Sequence, residues 1–137
     1  MSDRYLVTGA MGCLGAWVTS LLVDEGCDVV LFDLSEDDSR LRLLMDDEAV
    51  AVPRRIKGDL TDASQVRSAM EGITHVVHLG ALQVPFCKAN PALGAAVNVT
   101  GTVNVFEAAL AAGVRQVVYA SSAAVYGPPD RYAETVV

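Results

Sequence analysis

The sequence has few basic residues and few cysteines. Lys and Arg number 10 against 17 Asp and Glu, which gives a net charge of −7, and the only lysines are Lys57 and Lys88. A protein that binds a nucleic-acid backbone needs clustered positive charge, so a nucleic-acid partner is not expected. The 3 cysteines are odd in number and have no metal-like spacing. They argue against a disulfide framework and favour reduced thiols.

Long hydrophobic runs are also missing. No unbroken stretch reaches the roughly 18 apolar residues of a membrane-spanning helix. The N-terminus mixes charged residues with a short apolar run that Gly9 interrupts, which is unlike a secretory signal. His75 and His78 are the only histidines, and a spacing of three within a strand places them on opposite faces. We therefore expect a cytoplasmic protein with no membrane contact and no metal site.

Apolar residues are plentiful, at 52% of 137 residues, and they suffice for one domain over residues 1–137. Short apolar runs alternate with helical segments, and Gly, Asp or Ser marks each changeover, which is the βαβ pattern. We predict strands at residues 5–8, 28–33, 55–60, 74–79 and 116–120. Five strands with right-handed crossovers predict an α/β protein with a doubly wound parallel sheet, whose ligands bind at the carboxyl ends of the strands.

Apolar periodicity and capping residues predict the helices. The first helix is expected to face the core with four spaced apolar side chains, those of Leu14, Val18, Leu21 and Leu22. A later helix opens with Thr61 or Asp62 as its cap, and a long one runs from Asn90 and Pro91 to Gly113. Residues 36–55 are irregular and acidic, which predicts a short helix in a solvated connection.

A glycine-rich loop lies where the first strand meets the first helix. Gly9, Gly12 and Gly15 form a GxxGxxG pattern. The first glycine permits a tight turn, the second lets the backbone approach a pyrophosphate, and the third lets the helix pack closely on the strand. The free N–H groups and the dipole of the helix N-terminus favour the anion. The loop therefore predicts a dinucleotide site.

An acidic residue ends the second strand, at the position where dinucleotide-binding proteins hold the adenosine ribose. Asp33 lies 18 residues beyond Gly15, where its carboxylate can accept hydrogen bonds from ribose hydroxyls and repel a 2′-phosphate. The nearest following arginine is Arg40, too far along the sequence to predict a reversed preference. We therefore expect NAD rather than NADP.

Several segments, in one order, match a known family. They are the glycine-rich loop, Asp33, and residues 58–60, 78–81, 98–102 and 121–127. Together they resemble the extended short-chain dehydrogenase/reductase family, the NAD-dependent epimerases and dehydratases of which UDP-glucose 4-epimerase is typical. The resemblance implies a Rossmann-type NAD-binding fold, present here in part, and an oxidoreductase or isomerase acting on a nucleotide sugar.

The resemblance also implies roles for individual residues. The pyrophosphate is expected at Met11, Gly12, Cys13 and Leu14, and the adenine ribose at Asp33. Asp59 and Leu60 are expected at the adenine, and Leu79, Gly80 and Ala81 beneath the cofactor, where Gly80 replaces the family's more common alanine. Asn98 is expected near the nicotinamide half. His78 is interpreted as a packing or hydrogen-bonding residue under the loop.

The expected catalytic residue is Ser122, which matches the family's serine or threonine at the substrate oxygen. The family's base is a tyrosine followed four positions later by a lysine, whose charge lowers the pKa of the phenol. None of the four tyrosines here has a lysine at that spacing, and Tyr126 matches a structural position. We therefore expect an enzyme truncated before its base, with no turnover from these residues alone.

Two other interpretations remain open. The same loop could serve a non-catalytic NAD sensor or interaction module, and the same cofactor half could serve a reductase of another carbonyl substrate. The resemblance also implies a homodimeric complete protein, paired through the Asn98-containing helix. This fragment would then expose part of the seam and tend to aggregate.

Overall fold

A computed structural model of the protein describes residues 3–122 and 127. Its strands are β1 (Arg4–Thr8), β2 (Asp28–Asp33), β3 (Arg54–Lys57), β4 (His75–His78) and β5 (Gln116–Tyr119). They form one sheet in the order β3-β2-β1-β4-β5, and each neighbouring pair is parallel. The chain order reverses beside β1, and helices cover both faces. The predicted doubly wound α/β architecture is therefore confirmed.

The helices occupy the crossovers between the strands. They are α1 (Cys13–Asp24), α2 (Ser39–Arg42), α3 (Asp47–Ala51), α4 (Ala63–Ala69), α5 (Val84–Ala89), α6 (Pro91–Ala95) and α7 (Thr102–Ala111). A π-helical segment, Ala96–Gly101, joins α6 to α7 without a break, so one long helix forms as predicted. The sequence did not predict α5, and the acidic connection contains two short helices rather than one.

Two hydrophobic clusters lie on opposite faces of the sheet. One contains Leu6, Phe32 and Val76 of the strands and is covered by α4 and α7. The other contains Val7 and Leu31 and is covered by α1, α2 and α3. Because side chains alternate along a strand, neighbouring residues of β1 contribute to different clusters. The two clusters together bury most of β1 and β2, as expected for the central strands of a parallel sheet.

The predicted core-facing side of α1 is wrong for two of its four residues, while Val18 and Leu22 pack against the core. Leu14 and Leu21 are 63% and 60% exposed, and Val18 and Leu22 are only partly buried. The buried residues of this helix are small ones, Gly15, Ala16, Thr19 and Ser20. The helix backbone lies so close to the glycine-rich loop that only small side chains fit between them, and periodicity of large apolar residues cannot detect such a contact.

The ends of several elements differ by a few residues from the predictions. β3 ends at Lys57, where the Gly58 N–H makes the last ladder bond, to the Asp33 carbonyl oxygen, and the chain then turns. Asp62 caps α4 by accepting the N–H groups of Ser64 and Gln65. Asn90 caps α6, as the Asn-Pro pair predicted.

One helical stretch, Pro91–Ala111, is long and apolar enough to cross a membrane by length and composition alone, with a mean hydropathy of 1.2. Val105, Ala108 and Ala109 of its last part are buried in the core. Since that face packs on the sheet, the core accounts for part of its apolar composition. The same test is passed by core helices of proteins that do not enter a membrane.

Candidate functional site

A cavity of about 490 Å³ opens beyond the carboxyl ends of the strands. This volume is in the range of small-molecule and cofactor sites. The walls come from the glycine-rich loop, the segment after β2, the turn after β3, the loop after β4 and the long helix. The lining residues are Gly9, Met11, Gly12, Phe32, Asp33, Leu34, Ser35, Arg40, Gly58, Asp59, Leu60, Leu79, Gly80, Ala81, Leu82, Phe86 and Val97.

The glycine-rich loop turns as its spacing predicts. Gly9 has a φ of +66°, a conformation that favours glycine, and it donates its N–H to the Phe32 carbonyl oxygen at 3.0 Å. A Cβ on Gly9 would lie 2.7 Å from the Cα of Gly80. A Cβ on Gly15 would lie 2.7 Å from the Cα of Ala10. The first glycine thus makes the turn, and the third allows the helix to pack on the loop.

Asp33 lies at the end of β2 and faces the glycine-rich loop. One carboxylate oxygen accepts the Met11 N–H at 2.9 Å, and the other accepts the Ser35 N–H at 2.8 Å. The side chain therefore fixes the loop and the segment after β2 at the same time. Each oxygen keeps a further lone pair toward the cavity, where a hydroxyl could donate.

The turn after β3 presents Asp59 and Leu60 to the cavity. The Asp59 carboxylate accepts both the N–H and the hydroxyl of Thr61 at 2.8 Å. Leu60 is 9% exposed, and its side chain fills the space against which a Cβ on Gly80 would lie, 2.6 Å from Leu60 Cδ1. Gly80 stands where the family more commonly has alanine, and the Leu60 side chain occupies the space that an alanine methyl group would need.

The loop after β4 crosses the cavity floor and is held by polar side chains beneath it. The Thr8 hydroxyl oxygen accepts the N–H of Leu79 and that of Gly80, each at 3.2 Å. His78, directly before the loop, is 1% exposed, with Nδ1 2.6 Å from the Thr8 hydroxyl and Nε2 3.1 Å from that of Thr102. Burial lowers the pKa of His78 to about 4. The interpretation of His78 as a hydrogen-bonding residue under the loop is confirmed.

The Asn98 side chain faces the loop after β4 and holds its backbone. Its Oδ1 accepts the Leu82 N–H at 2.7 Å, and its Nδ2 donates to the Leu82 carbonyl oxygen at 2.9 Å. The π-helical segment carries this residue, and Val97 beside it lines the cavity. In this structure Asn98 supports the wall of the cavity from behind.

The structure brings most of the predicted cofactor residues together around the cavity. The predicted residues outside its lining are Cys13, Leu14, Gly15 and Asn98. Cys13 and Leu14 are exposed in the first turn of α1, and Gly15 is buried beneath the loop. Ser122 is exposed just beyond the end of β5, and Tyr126 lies outside the described residues.

Sequence reasoning missed Arg40 as a cavity residue. Its Nη1 donates to the Met11 carbonyl oxygen at 3.1 Å, and it lines the cavity beside Asp33. The next residue, Leu41, is 1% exposed in the cluster under α1, so α2 is anchored with Arg40 directed at the loop. Only the buried Leu41 offered a sequence signal. Phe86 was missed because α5 itself was not predicted.

Comparisons with known proteins agree with this geometry. Residues 5–136 match the model of the NAD dependent epimerase/dehydratase family. The chain is 38% identical over 127 residues to mouse 3 beta-hydroxysteroid dehydrogenase type 7 and 40% identical over 133 residues to UDP-glucose 4-epimerase of Mycolicibacterium smegmatis. It also resembles the structure of WbmG from Bordetella bronchiseptica in complex with NAD and UDP, with a TM-score of 0.78 at 31% identity.

The matches cover nearly all of this chain but a minor part of each relative. They span 90% of the chain and 34% of the mouse dehydrogenase, 94% and 42% for the epimerase, and 99% and 41% for WbmG. The chain thus corresponds to less than half the length of these proteins. Because the family model matches almost the whole sequence, the chain belongs to the NAD-dependent epimerase/dehydratase family.

Proposed function

We propose that the cavity binds NAD and that the chain is the cofactor-binding part of an oxidoreductase or isomerase acting on a nucleotide sugar. The observation that carries the proposal is the meeting of the glycine-rich loop, Asp33 and the loop after β4 around one cavity. This place, at the carboxyl ends of the strands where the sheet order reverses, is where doubly wound proteins bind dinucleotides.

The residues fit the shape and charge of a dinucleotide. α1 has 12 residues, and the N–H groups of its first turn have no carbonyl partner within the helix. That end, carrying Cys13 and Leu14, would hold the pyrophosphate with the positive end of the helix dipole. Gly9 and Gly80 lie so close together that a side chain on Gly9 would collide with the Gly80 backbone. The family resemblance is supported here by close backbone packing.

The adenosine would lie between Asp33 and the turn after β3. Asp33 has lone pairs left for the ribose hydroxyls, and its negative charge opposes a 2′-phosphate. Asp59 and Leu60 would border the adenine. Arg40 lies on the same side of the cavity and would reduce the repulsion, so the preference for NAD over NADP would be finite rather than absolute.

The nicotinamide would lie along residues 79–82 and beside Val97. When bound, the cofactor supplies an acceptor for the hydride of a substrate alcohol. Ser122 would hold the substrate oxygen, because a hydroxyl can donate to a carbonyl and accept from an alcohol. The four tyrosines lack a lysine four positions later, so we propose that residues 1–137 alone bind the cofactor without turning over substrate.

A second candidate is a dehydrogenase or reductase whose alcohol or carbonyl substrate is not a sugar. The 38% identity to a hydroxysteroid dehydrogenase favours it. The two candidates share the cofactor half, which is the part that this chain contains. A non-catalytic NAD sensor is the alternative from another class. We propose a cytoplasmic location, since the three cysteines are free thiols, as is usual in a reducing compartment.

Calorimetric titration of the chain with NAD and NADP tests the proposal. We expect saturable binding of both, tighter for NAD. Asp33→Ala should weaken NAD binding by about tenfold or more, since it removes charge-assisted hydrogen bonds, and should abolish the preference over NADP. No NADH should form when UDP-glucose is added.

Asp28→Ala is the matched control. Asp28 is at the opposite end of the same strand, where it pairs with Arg4 at 2.6 Å. The substitution therefore removes an aspartate that does not line the cavity. Its NAD affinity should equal that of the unchanged chain. Absence of saturable NAD binding, or equal affinity for the two dinucleotides, would contradict the proposal.

We also propose that the complete protein forms a homodimer through the long helix. Its outer face carries four apolar side chains at spacings of four, three and four, those of Val99, Val103, Phe106 and Leu110. Their exposed fractions run from 41% to 79%. We call these four residues the seam. They have the spacing of a helix-packing surface, and contiguous exposed apolar surface usually marks an interface.

A further inference from the structure

A buried chain of hydrogen bonds runs beneath the loop after β4, and its proton positions can be worked out. Thr102 Oγ1 lies 2.8 Å from the Asn98 carbonyl oxygen. A carbonyl oxygen only accepts, so the Thr102 hydroxyl donates its one proton to that oxygen. Toward His78 Nε2, at 3.1 Å, the Thr102 oxygen can then only accept. His78 therefore carries a proton on Nε2.

The other end of the imidazole gives the same answer. Thr8 Oγ1 accepts the N–H groups of Leu79 and Gly80, which can only donate; the Leu79 N–H is shared with the Thr8 carbonyl oxygen, also at 3.2 Å. Two accepted bonds occupy both of its lone pairs, and its own proton remains for His78 Nδ1 at 2.6 Å. Nδ1 must then be unprotonated, which is the neutral Nε2–H tautomer. Each of the three protons on the Thr8 hydroxyl, the His78 Nε2 and the Thr102 hydroxyl then has one acceptor.

This hydrogen-bond chain fixes the loop after β4 at two points. Thr8 holds the backbone at Leu79 and Gly80. Thr102 holds the carbonyl of Asn98, whose side-chain amide in turn holds Leu82 by both its N–H and its carbonyl oxygen. The backbone between these points lines the cavity. A substitution that removes one hydroxyl or imidazole proton from these hydrogen bonds would therefore loosen the floor of the cavity without removing any residue that lines it.

We propose that Thr8, His78 and Thr102 are positioning residues of the dinucleotide site, and that a neutral Nε2–H imidazole at His78 sets the backbone of residues 79–82 against the glycine-rich loop. The inference rests on the proposed function, because it assigns these residues to the NAD site.

The surroundings of His78 favour its neutral form. The imidazole contacts two threonine hydroxyls and stacks on the Tyr119 ring, with 5.7 Å between ring centroids. A second proton, on Nδ1, would face a Thr8 oxygen whose lone pairs are both occupied. Burial also lowers the pKa of His78 to about 4, so the imidazole is neutral over the working range of most proteins.

Nitrogen NMR of the imidazole tests the proton assignment without any ligand. At pH 6.5, the ordinary pKa of histidine, an unperturbed imidazole is half charged. His78 in the folded chain should instead give the signals of a neutral ring with the proton on Nε2, assigned by their loss in His78→Gln. A charged ring, or a proton on Nδ1, would overturn the proposal.

NAD titration of Thr102 variants tests the positioning role. Thr102→Val leaves the His78 Nε2–H without an acceptor and should weaken NAD binding about tenfold. Thr102→Ser keeps the hydroxyl and should restore most of the affinity. Thr74→Val is the matched control, because Thr74 bonds Arg4 at the other end of β4. It should lose stability but keep its NAD affinity.

The outcomes separate this inference from the proposed function. If the unchanged chain does not bind NAD, the proposed function fails, while the NMR result still decides the proton assignment. If the unchanged chain binds NAD and folded Thr102→Val binds it equally well, the positioning role is wrong. If Thr74→Val loses as much affinity as Thr102→Val, the effect is one of general stability, and the positioning role is again wrong.

Discussion

At the scale of single residues, close packing around the glycine-rich loop leaves little freedom for side chains. Gly15 and Ala16 press α1 against the loop, and Thr19 one turn later is 0% exposed. Within the part of the chain that the structure describes, the Thr19 hydroxyl has no hydrogen-bond partner. A buried hydroxyl without a partner costs free energy. It also marks a position where the sequence can be improved without touching the site.

Thr19→Val should raise the free energy of unfolding by about 1 kcal/mol, because it replaces the unpartnered hydroxyl with a methyl group of similar shape. Thr19→Ser is the complementary variant. It keeps the hydroxyl and removes a buried methyl, so it should lower stability by about 1 kcal/mol. Urea denaturation measures both. A valine variant less stable than the unchanged chain would mean that the hydroxyl is satisfied.

At the scale of elements, the junction between β4 and the long helix joins core and site. His78 of β4 reaches Thr102 at the start of α7, directly after the π-helical segment that carries Asn98. Such segments are frequent at functional sites. Since His78 is buried and uncharged, this junction connects the stability of the fold to pH.

The free energy of unfolding should fall as pH decreases from 6.5 toward 4. The folded protein holds the pKa of His78 at about 4, below its ordinary 6.5, so in this interval the unfolded chain binds the proton first. The contribution is fully present above pH 6.5 and is lost on acidification, by about 3 kcal/mol at most. Urea denaturation across this interval measures the slope.

Two histidine variants make this measurement specific. His78→Gln has no titrating group at the junction and should show a flatter pH dependence, whatever its stability near neutrality. His75→Gln changes the other histidine of β4, which stacks on Tyr5 at 4.8 Å, and is the matched substitution for comparison. An equal slope in all three proteins would assign the acid sensitivity to other groups.

At the scale of the whole molecule, the cavity lies at the carboxyl ends of the strands and the apolar seam lies on the outer face of the long helix. The seam of Val99, Val103, Phe106 and Leu110 lies on the face of the long helix that points away from the core residue Val105. Within the described residues, the Phe106 ring contacts Tyr119 edge-on at 5.9 Å, and the other three side chains of the seam are more than half exposed. The proposed homodimer would bury this surface.

The chain should therefore associate with itself, and the seam should be the cause. Leu110→Lys places a charge in the seam and should shift sedimentation of the chain toward the monomer. Leu43→Lys is the matched control, because Leu43 is 82% exposed and Leu110 79%, and Leu43 lies away from the seam. A stable monomer at all concentrations, or equal effects of the two variants, would contradict the proposed pairing surface.

The sequence by itself determined the features that depend on local geometry. The GxxGxxG spacing predicted the turn at Gly9 and the close packing at Gly15, because φ and the lack of a Cβ belong to the residue itself. Short apolar runs that alternate with helical segments predicted the five parallel strands, and the continuous apolar sequence of β2 matches its burial on both faces. Asn90 and Asp62 predicted helix starts, because caps act within one turn.

Only the tertiary structure decided the features that depend on distant contacts. It buried the small face of α1, directed Arg40 into the cavity through the anchor at Leu41, and placed Asn98 against Leu82. The Thr8 to His78 hydrogen bond joins residues 70 positions apart, so local spacing could not identify Thr8 as the partner of His78. Local spacing therefore fixes which cofactor class the loop suits, and long-range packing decides which side chains hold its binding site in place.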